Sequence, residues 1–243
     1  MKRHRSRQTN PKDFFEKILG KEYRPQLSME TRQELVKKTS DRKTPLSELR
    51  EIHEAIAQKY LSILDPKILE HQVKTLGRFA DFKKNDTVLS LFSGPAVVES
   101  FVAKELIPEG RMVCIEHAHG MNKQAKIVRG RSKAKNMSFI TGSTTSIPFK
   151  GIKFDKVIAL QAETSNPANL EKTIKEARRL IADKPGAKFI LTFTTYSIEA
   201  TRTVTEIINY MDLAGFIPTK GVSFQRFRNN SESILVVATP KSL

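Results

Sequence analysis

At 243 residues, with 39% hydrophobic and 28% charged side chains, the chain is sized for one α/β domain plus a small extension. No apolar run approaches the length of a membrane span, and the basic start MKRHRSRQTN lacks the apolar core of a secretory signal, so a cytoplasmic protein is expected. The net charge of +16 favours a polyanionic partner, nucleic acid before an anionic membrane surface, and the single Cys114 excludes an internal disulfide and a cysteine-cluster metal site.

Residues 1–10 read as a basic disordered tail, with Lys2, Arg3, Arg5 and Arg7 and no acid. Residues 11–64 read as a helical extension. Its clearest helix is TPLSELREIHEAIAQKYLSIL, which Thr44 or Ser47 can cap and where Pro45 suits the first turn. Leu49, Ile52, Ile56, Tyr60 and Ile63 recur there at spacings of three and four, the stripe of an amphipathic helix. Asp65-Pro66 opens the next helix, with Ile68, Leu69, Val73, Leu76 and Phe79 on its apolar side.

From Asp86 the pattern alternates. Strands are predicted at 87–92, 111–116, 137–141, 154–160, 187–194, 217–226 and 233–239, and helices at 96–107, 119–132, 168–182 and 197–214. Parallel strands need crossover helices, so the alternation implies a parallel sheet covered on both faces. The last two strands, joined by RNNSE, suit an antiparallel hairpin. Within this run, VLSLFSGPAVVESF reads as a strand, a glycine turn at Gly94 and a helix start, the usual opening of a nucleotide-type ligand site.

The ordered landmarks over residues 66–240 resemble those of class I S-adenosylmethionine-dependent methyltransferases. Phe92-Ser93-Gly94-Pro95-Ala96 is similar to the family's F-x-G-x-G loop. RMVCIEHAHGM ends a strand on Glu116, where the family's acid accepts from the ribose hydroxyls. NMSFITGSTTSIPF is similar to the third landmark, and GIKFDKVIAL to the fourth strand, with Asp155 in a structural role. The resemblance implies a Rossmann-like doubly wound sheet, mostly parallel with a C-terminal antiparallel hairpin, over residues 65–243. It also implies S-adenosylmethionine as cofactor, with Ser90, Phe92, Gly94, Ala96, Glu116, His117, Ser143, Thr144 and Gln161 around it. Ser90, Ala96 and Ser143 stand where the family usually has an acid, a glycine and an aspartate.

The acceptor is expected past the fourth strand, where QAETSNP offers Gln161 and Glu163; these and Tyr196, after the fifth strand, are the catalytic candidates. Cys114 lies inside a strand, which argues against a cysteine nucleophile. His4, His53, His71, His117 and His119 are not spaced as metal ligands, so no metal is expected. The acid-free stretch KQAKIVRGRSKAK offers Lys123, Lys126, Arg129 and Arg131 to phosphates. Two readings follow: a methyltransferase acting on RNA or a ribosome-associated substrate, or a catalytically inactive methyltransferase-like RNA-binding or assembly protein. The helical extension suits either a lid or a docking surface.

Overall fold

A computed structural model describes residues 9–20, 46–64, 66–162, 166–226 and 231–241. Residues 1–8 of the tail expected at 1–10, and the candidates Thr44, Pro45 and Asp65 for helix starts, lie outside the described residues, whereas Asn10 of that tail caps the first helix. In chain order the elements are α1 (Pro11–Leu19), α2 (Leu46–Ile63), α3 (Pro66–Ala80), β1 (Thr87–Leu91), α4 (Val97–Phe101), β2 (Arg111–Glu116), α5 (His119–Ser132) and β3 (Met137–Thr141). They continue with β4 (Lys156–Ala159), α6 (Pro167–Leu180), β5 (Lys188–Tyr196), α7 (Ser197–Leu213), β6 (Phe216–Arg226) and β7 (Ser231–Pro240).

The seven described strands form one sheet in the order β3-β2-β1-β4-β5-β7-β6. Neighbours among β1 to β5 run parallel, and β7 runs antiparallel to both β5 and β6. Every residue of β4, and every residue of β1 after Thr87, is buried, as a strand covered on both faces requires. Successive side chains point to opposite faces. Val88 joins the core beneath α1, α3, α4 and α5, whereas Leu89 and Leu91 join the core beneath α6 and α7. The mostly parallel sheet with a C-terminal antiparallel hairpin is the one expected from the alternating pattern.

The first helix belongs to this core. Asn10 caps α1 by accepting from the Lys12 N–H at 3.0 Å, Pro11 opens it, and Phe14, Phe15 and Ile18 are buried. The Phe14 ring meets Phe101 of α4 edge-on at 5.0 Å. Burying each such side chain stabilises the fold by roughly 1.5–3 kcal/mol. In α3 the predicted Leu69, Val73 and Leu76 are buried.

Several boundaries shift by one or two residues from expectation, and two of the shifts have a visible cause. The helix predicted at 96–107 is α4 followed by a wider π-helical turn, Val102–Leu106, in which the Ile107 N–H reaches back to the Val102 carbonyl at 2.9 Å. β4 starts at Lys156 because Asp155 turns its carboxylate to Thr87, accepting from its N–H at 2.6 Å and its hydroxyl at 2.8 Å. That contact ties the start of β4 to the start of β1, the structural role expected of Asp155. The strand order reverses between β1 and β4, and a crevice for ligands forms at the C-terminal ends of the strands on either side of such a point.

Candidate functional site

The chain leaves β1 at this switch point through Phe92-Ser93-Gly94-Pro95-Ala96. Every second residue of the loop is left-handed: φ is 57° at Phe92, 51° at Gly94 and 53° at Ala96. A side chain in that region costs about 1–2 kcal/mol, so Phe92 and Ala96 adopt at some expense a path that glycine would follow freely. Packing enforces it. Ala96 is fully buried, and Phe92 packs against the core beneath α6 and α7. Above Gly94 the space is open: an added Cβ would meet nothing within 4 Å.

The loop is fastened to Glu116, the last residue of β2. One carboxylate oxygen accepts from the Gly94 N–H at 2.9 Å, and the other accepts from the Ala118 N–H at 2.9 Å. Glu116 is only 2% exposed. Burial pushes its carboxyl above the ordinary value, against the opposing pull of the Ala118 N–H and of His53. A carboxylate has about four lone-pair positions, so capacity remains for a ligand's hydroxyls. Asn122 braces the same corner, donating to the Glu116 carbonyl at 3.3 Å and to the Thr141 hydroxyl at 2.8 Å.

A wall that the sequence did not assign comes from α2. The Glu54 carboxylate accepts from the backbone N–H groups of His119 at 2.5 Å and Gly120 at 2.7 Å, capping α5, whose own N-cap residue is Ala118. Gly120 permits this approach. A Cβ there would lie 2.6 Å from Glu54 Oε2 and 2.8 Å from the Ala57 Cβ. The same face carries His53, whose ring stacks at a tilt on His117 with centroids 5.1 Å apart. Burial lowers both imidazole pKa values, and His53 Nδ1 and His117 Nε2 are buried without a hydrogen-bond partner. Tyr60 completes the wall, its hydroxyl pushed up to about 12 by burial and by the nearby Glu116 and Glu99 carboxylates.

Behind the loop, Glu99 of α4 is 3% exposed and accepts from the Ser90 hydroxyl at 2.9 Å. Burial lifts its carboxyl to about 7. Ser90 is thus turned toward α4 and spent on this bond. The other expected residues divide. The Ser143 hydroxyl is engaged in a local turn with Thr145, and Thr144 is buried with its hydroxyl 3.0 Å from Thr173 of α6. Gln161 sits at the end of β4 with φ 53°; its N–H donates to the Thr192 hydroxyl and its side-chain oxygen accepts from Thr194, each at 2.9 Å. Tyr196 ends β5, and Glu163 lies outside the described residues.

The basic residues of α5 are exposed but not equivalent. Arg129 donates to the Met137 carbonyl at 3.2 Å, and Arg131 donates to the Ile18 carbonyl at 2.9 Å. Both brace the fold. Lys123 and Lys126 lie nearer the helix start, and the helix runs away from the crevice by about 1.5 Å per residue. The histidine spacing offered no metal site, yet the fold brings one ligand atom each of His53, Glu116 and His117 within 4.8 Å of one another. The donor types suit a three-ligand zinc site, although both Glu116 oxygens already accept backbone N–H groups.

A family described as a methyltransferase domain matches residues 82–208, which is over half the chain. No curated protein matches the sequence. Among solved structures, a chain of the complex containing the Haloferax volcanii Trm112 methyltransferase activator is 18% identical with a TM-score of 0.61, covering 78% of this chain and 97% of that one. TrmN from Thermus thermophilus is 15% identical with a TM-score of 0.56, covering 69% of this chain and 48% of that one. The [4+2]-cyclase SpnF is 12% identical with a TM-score of 0.59, covering 72% and 82%. At such identities the likeness is one of fold.

Proposed function

The chain belongs to the methyltransferase-domain family, and we propose that it transfers a methyl group from S-adenosylmethionine to an acceptor on RNA or a ribonucleoprotein. The observation that carries the cofactor reading is the bond from the Gly94 N–H to the buried Glu116 carboxylate, at the switch point of the sheet. Fold alone would not suffice, since the [4+2]-cyclase SpnF shares the fold.

The residues present fit the cofactor. Glu116 has spare acceptor capacity for ribose hydroxyls, and Gly94 leaves open space above the loop. His53 Nδ1 and His117 Nε2 are two buried nitrogens that lack partners, beside the same carboxylate. Bound there, S-adenosylmethionine supplies an electrophilic methyl group on a sulfonium. The chain's own part is positional. Glu116 fixes the adenosine end, α2 shields that end from water, and Gln161, held by Thr192 and Thr194, lies where an acceptor would approach past β4. The RNA acceptor is supported by the net charge of +16 and by exposed Lys123 and Lys126 on the helix that begins beside Glu116.

The test is transfer of label from methyl-labelled S-adenosylmethionine to deproteinised cellular RNA or to ribonucleoprotein particles. Label in either substrate, lost in Glu116→Ala, is the result expected. No transfer to either contradicts the reading.

A further inference from the structure

We propose that Glu99 supplies the negative charge that holds a cation of the cofactor, acting from behind the loop that Gly94 turns. The inference rests on the cofactor reading above and deepens it.

Glu99 is a buried carboxylate without a counter-ion among the described residues. Its oxygens are met by the Ser90 hydroxyl at 2.9 Å and by its own backbone N–H, both uncharged donors. The other groups felt by it are anionic or neutral: the Glu116 carboxylate, and the Tyr60 and Cys114 side chains. An ionised carboxylate buried in this way is costly unless a cation compensates it. Helix α4 shows no packing need for it either. Its neighbours Val97, Val98 and Phe101 are apolar core residues, and an aliphatic side chain would satisfy the same space at less cost.

Position gives the charge a use. Glu99 lies three residues beyond Ala96, on the first turn after the loop, and is bonded to the strand that leads into it. Glu116 lies across the loop, bonded to Gly94. Two carboxylates lie within electrostatic reach of each other and of Tyr60, and no cation among the described residues compensates Glu99. S-adenosylmethionine brings two, a sulfonium and an ammonium. With a cation in place Glu99 ionises; without one it sits near the midpoint of its titration at neutral pH. Binding then releases a proton.

The test is calorimetric titration of the wild type, Glu99→Gln and the double variant Ser90→Asp/Glu99→Ala, using three ligands. The double variant moves the carboxylate across a 2.9 Å contact to the strand side of the same spot. S-adenosylmethionine carries both cations, S-adenosylhomocysteine only the ammonium, and methylthioadenosine neither. Glu99→Gln should weaken S-adenosylmethionine by about ten- to a hundredfold, the loss of one charge-assisted contact. Methylthioadenosine should change less than about threefold, and the double variant should recover most of the loss. An equal loss for S-adenosylhomocysteine assigns the contact to the ammonium, and an unchanged value assigns it to the sulfonium. Wild-type affinity for S-adenosylmethionine should rise as pH increases toward about 7, more steeply than that of Glu99→Gln, which keeps only the titration of Glu116 and its histidine neighbours. If methylthioadenosine binds and Glu99→Gln leaves S-adenosylmethionine unchanged, the role of Glu99 is wrong. If no ligand binds the wild type, the cofactor reading itself fails.

Discussion

The backbone N–H of Gly94 donates to the carboxylate of Glu116 at 2.9 Å, across 22 residues of sequence. This bond joins the loop after β1 to the end of β2 and fixes the crevice between them. Gly94 has φ +51° and open space where a side chain would point. Gly94→Ala should therefore destabilise the fold by about 0.5–1 kcal/mol, the backbone strain of about 1–2 kcal/mol less the roughly 0.4–1 kcal/mol that alanine gains by restricting the unfolded chain, with no clash to relieve. Urea unfolding measures it, and an unchanged midpoint would show that the loop relaxes.

Two residues further on, strain and burial oppose each other. Ala96 holds φ 53° as an alanine, so glycine there removes about 1–2 kcal/mol of strain. Glycine also loosens the unfolded chain, which returns about 0.4–1 kcal/mol, and loses the fully buried methyl, which returns about 0.8 kcal/mol more. Ala96→Gly should therefore unfold in urea within about 0.5 kcal/mol of the wild type. A loss well beyond that would mean that the buried methyl matters more than the backbone.

Helix α2 is held against the start of α5 by Glu54 and by the absence of a side chain on Gly120. Gly120→Ala must push Glu54 or Ala57 aside, because its Cβ would lie 2.6 Å and 2.8 Å from them. Hydrogen exchange across residues 46–63 should then accelerate about tenfold or more, while β1 and β4 keep their protection. Equal acceleration throughout would point to global destabilisation instead.

Glu99 links stability to pH. Its folded carboxyl lies near 7, above the ordinary 4.5, so the folded protein holds a proton that the unfolded chain releases. That contribution is complete below about pH 4.5 and is lost as pH rises through about 7. Glu99→Gln removes the dependence. Without cofactor it should match the wild type at pH 4.5 and exceed it by roughly 3 kcal/mol at pH 8.5. A variant that parallels the wild type across this range would contradict the buried, unpaired carboxyl.

For RNA, only part of the α5 cluster is free to bind phosphate. Lys123→Ala/Lys126→Ala should lower the slope of log affinity against log salt by about 1.5, two contacts' worth on a single strand. Arg131→Ala should instead destabilise the packing of α1 by about 1 kcal/mol, because its guanidinium holds the Ile18 carbonyl. An unaltered salt slope in the double lysine variant would remove α5 from the proposed interface.

Much of the architecture was legible because its signals are local. Apolar runs of five or six residues bounded by turns gave β1, β2 and β3, and the three-and-four spacing gave α2 and α3. Glu116 was legible as a strand-terminal acid at the distance of one βαβ unit. What escaped depended on contacts far apart in the chain. Glu54 lies 65 residues before the N–H of His119 that it caps, and nothing in its own helix marks it. His53 stood in the sequence only as one of five histidines not spaced as metal ligands, and only the fold sets its ring on His117. Glu99 left a faint trace as the one charge in AVVESFV, but its value comes from Ser90, which faces it from a strand. The loop's path was hidden for another reason: Phe92 and Ala96 adopt a backbone that their types ordinarily avoid.

The central claim is that Glu116 and the loop it fastens hold S-adenosylmethionine. Its most direct test is calorimetric titration of the wild type and Glu116→Ala with S-adenosylmethionine, alongside circular dichroism to confirm that both are folded. The account predicts saturable one-to-one binding to the wild type and a loss of about a hundredfold or more in the folded variant. No binding to the wild type, or equal binding to both proteins, would contradict it.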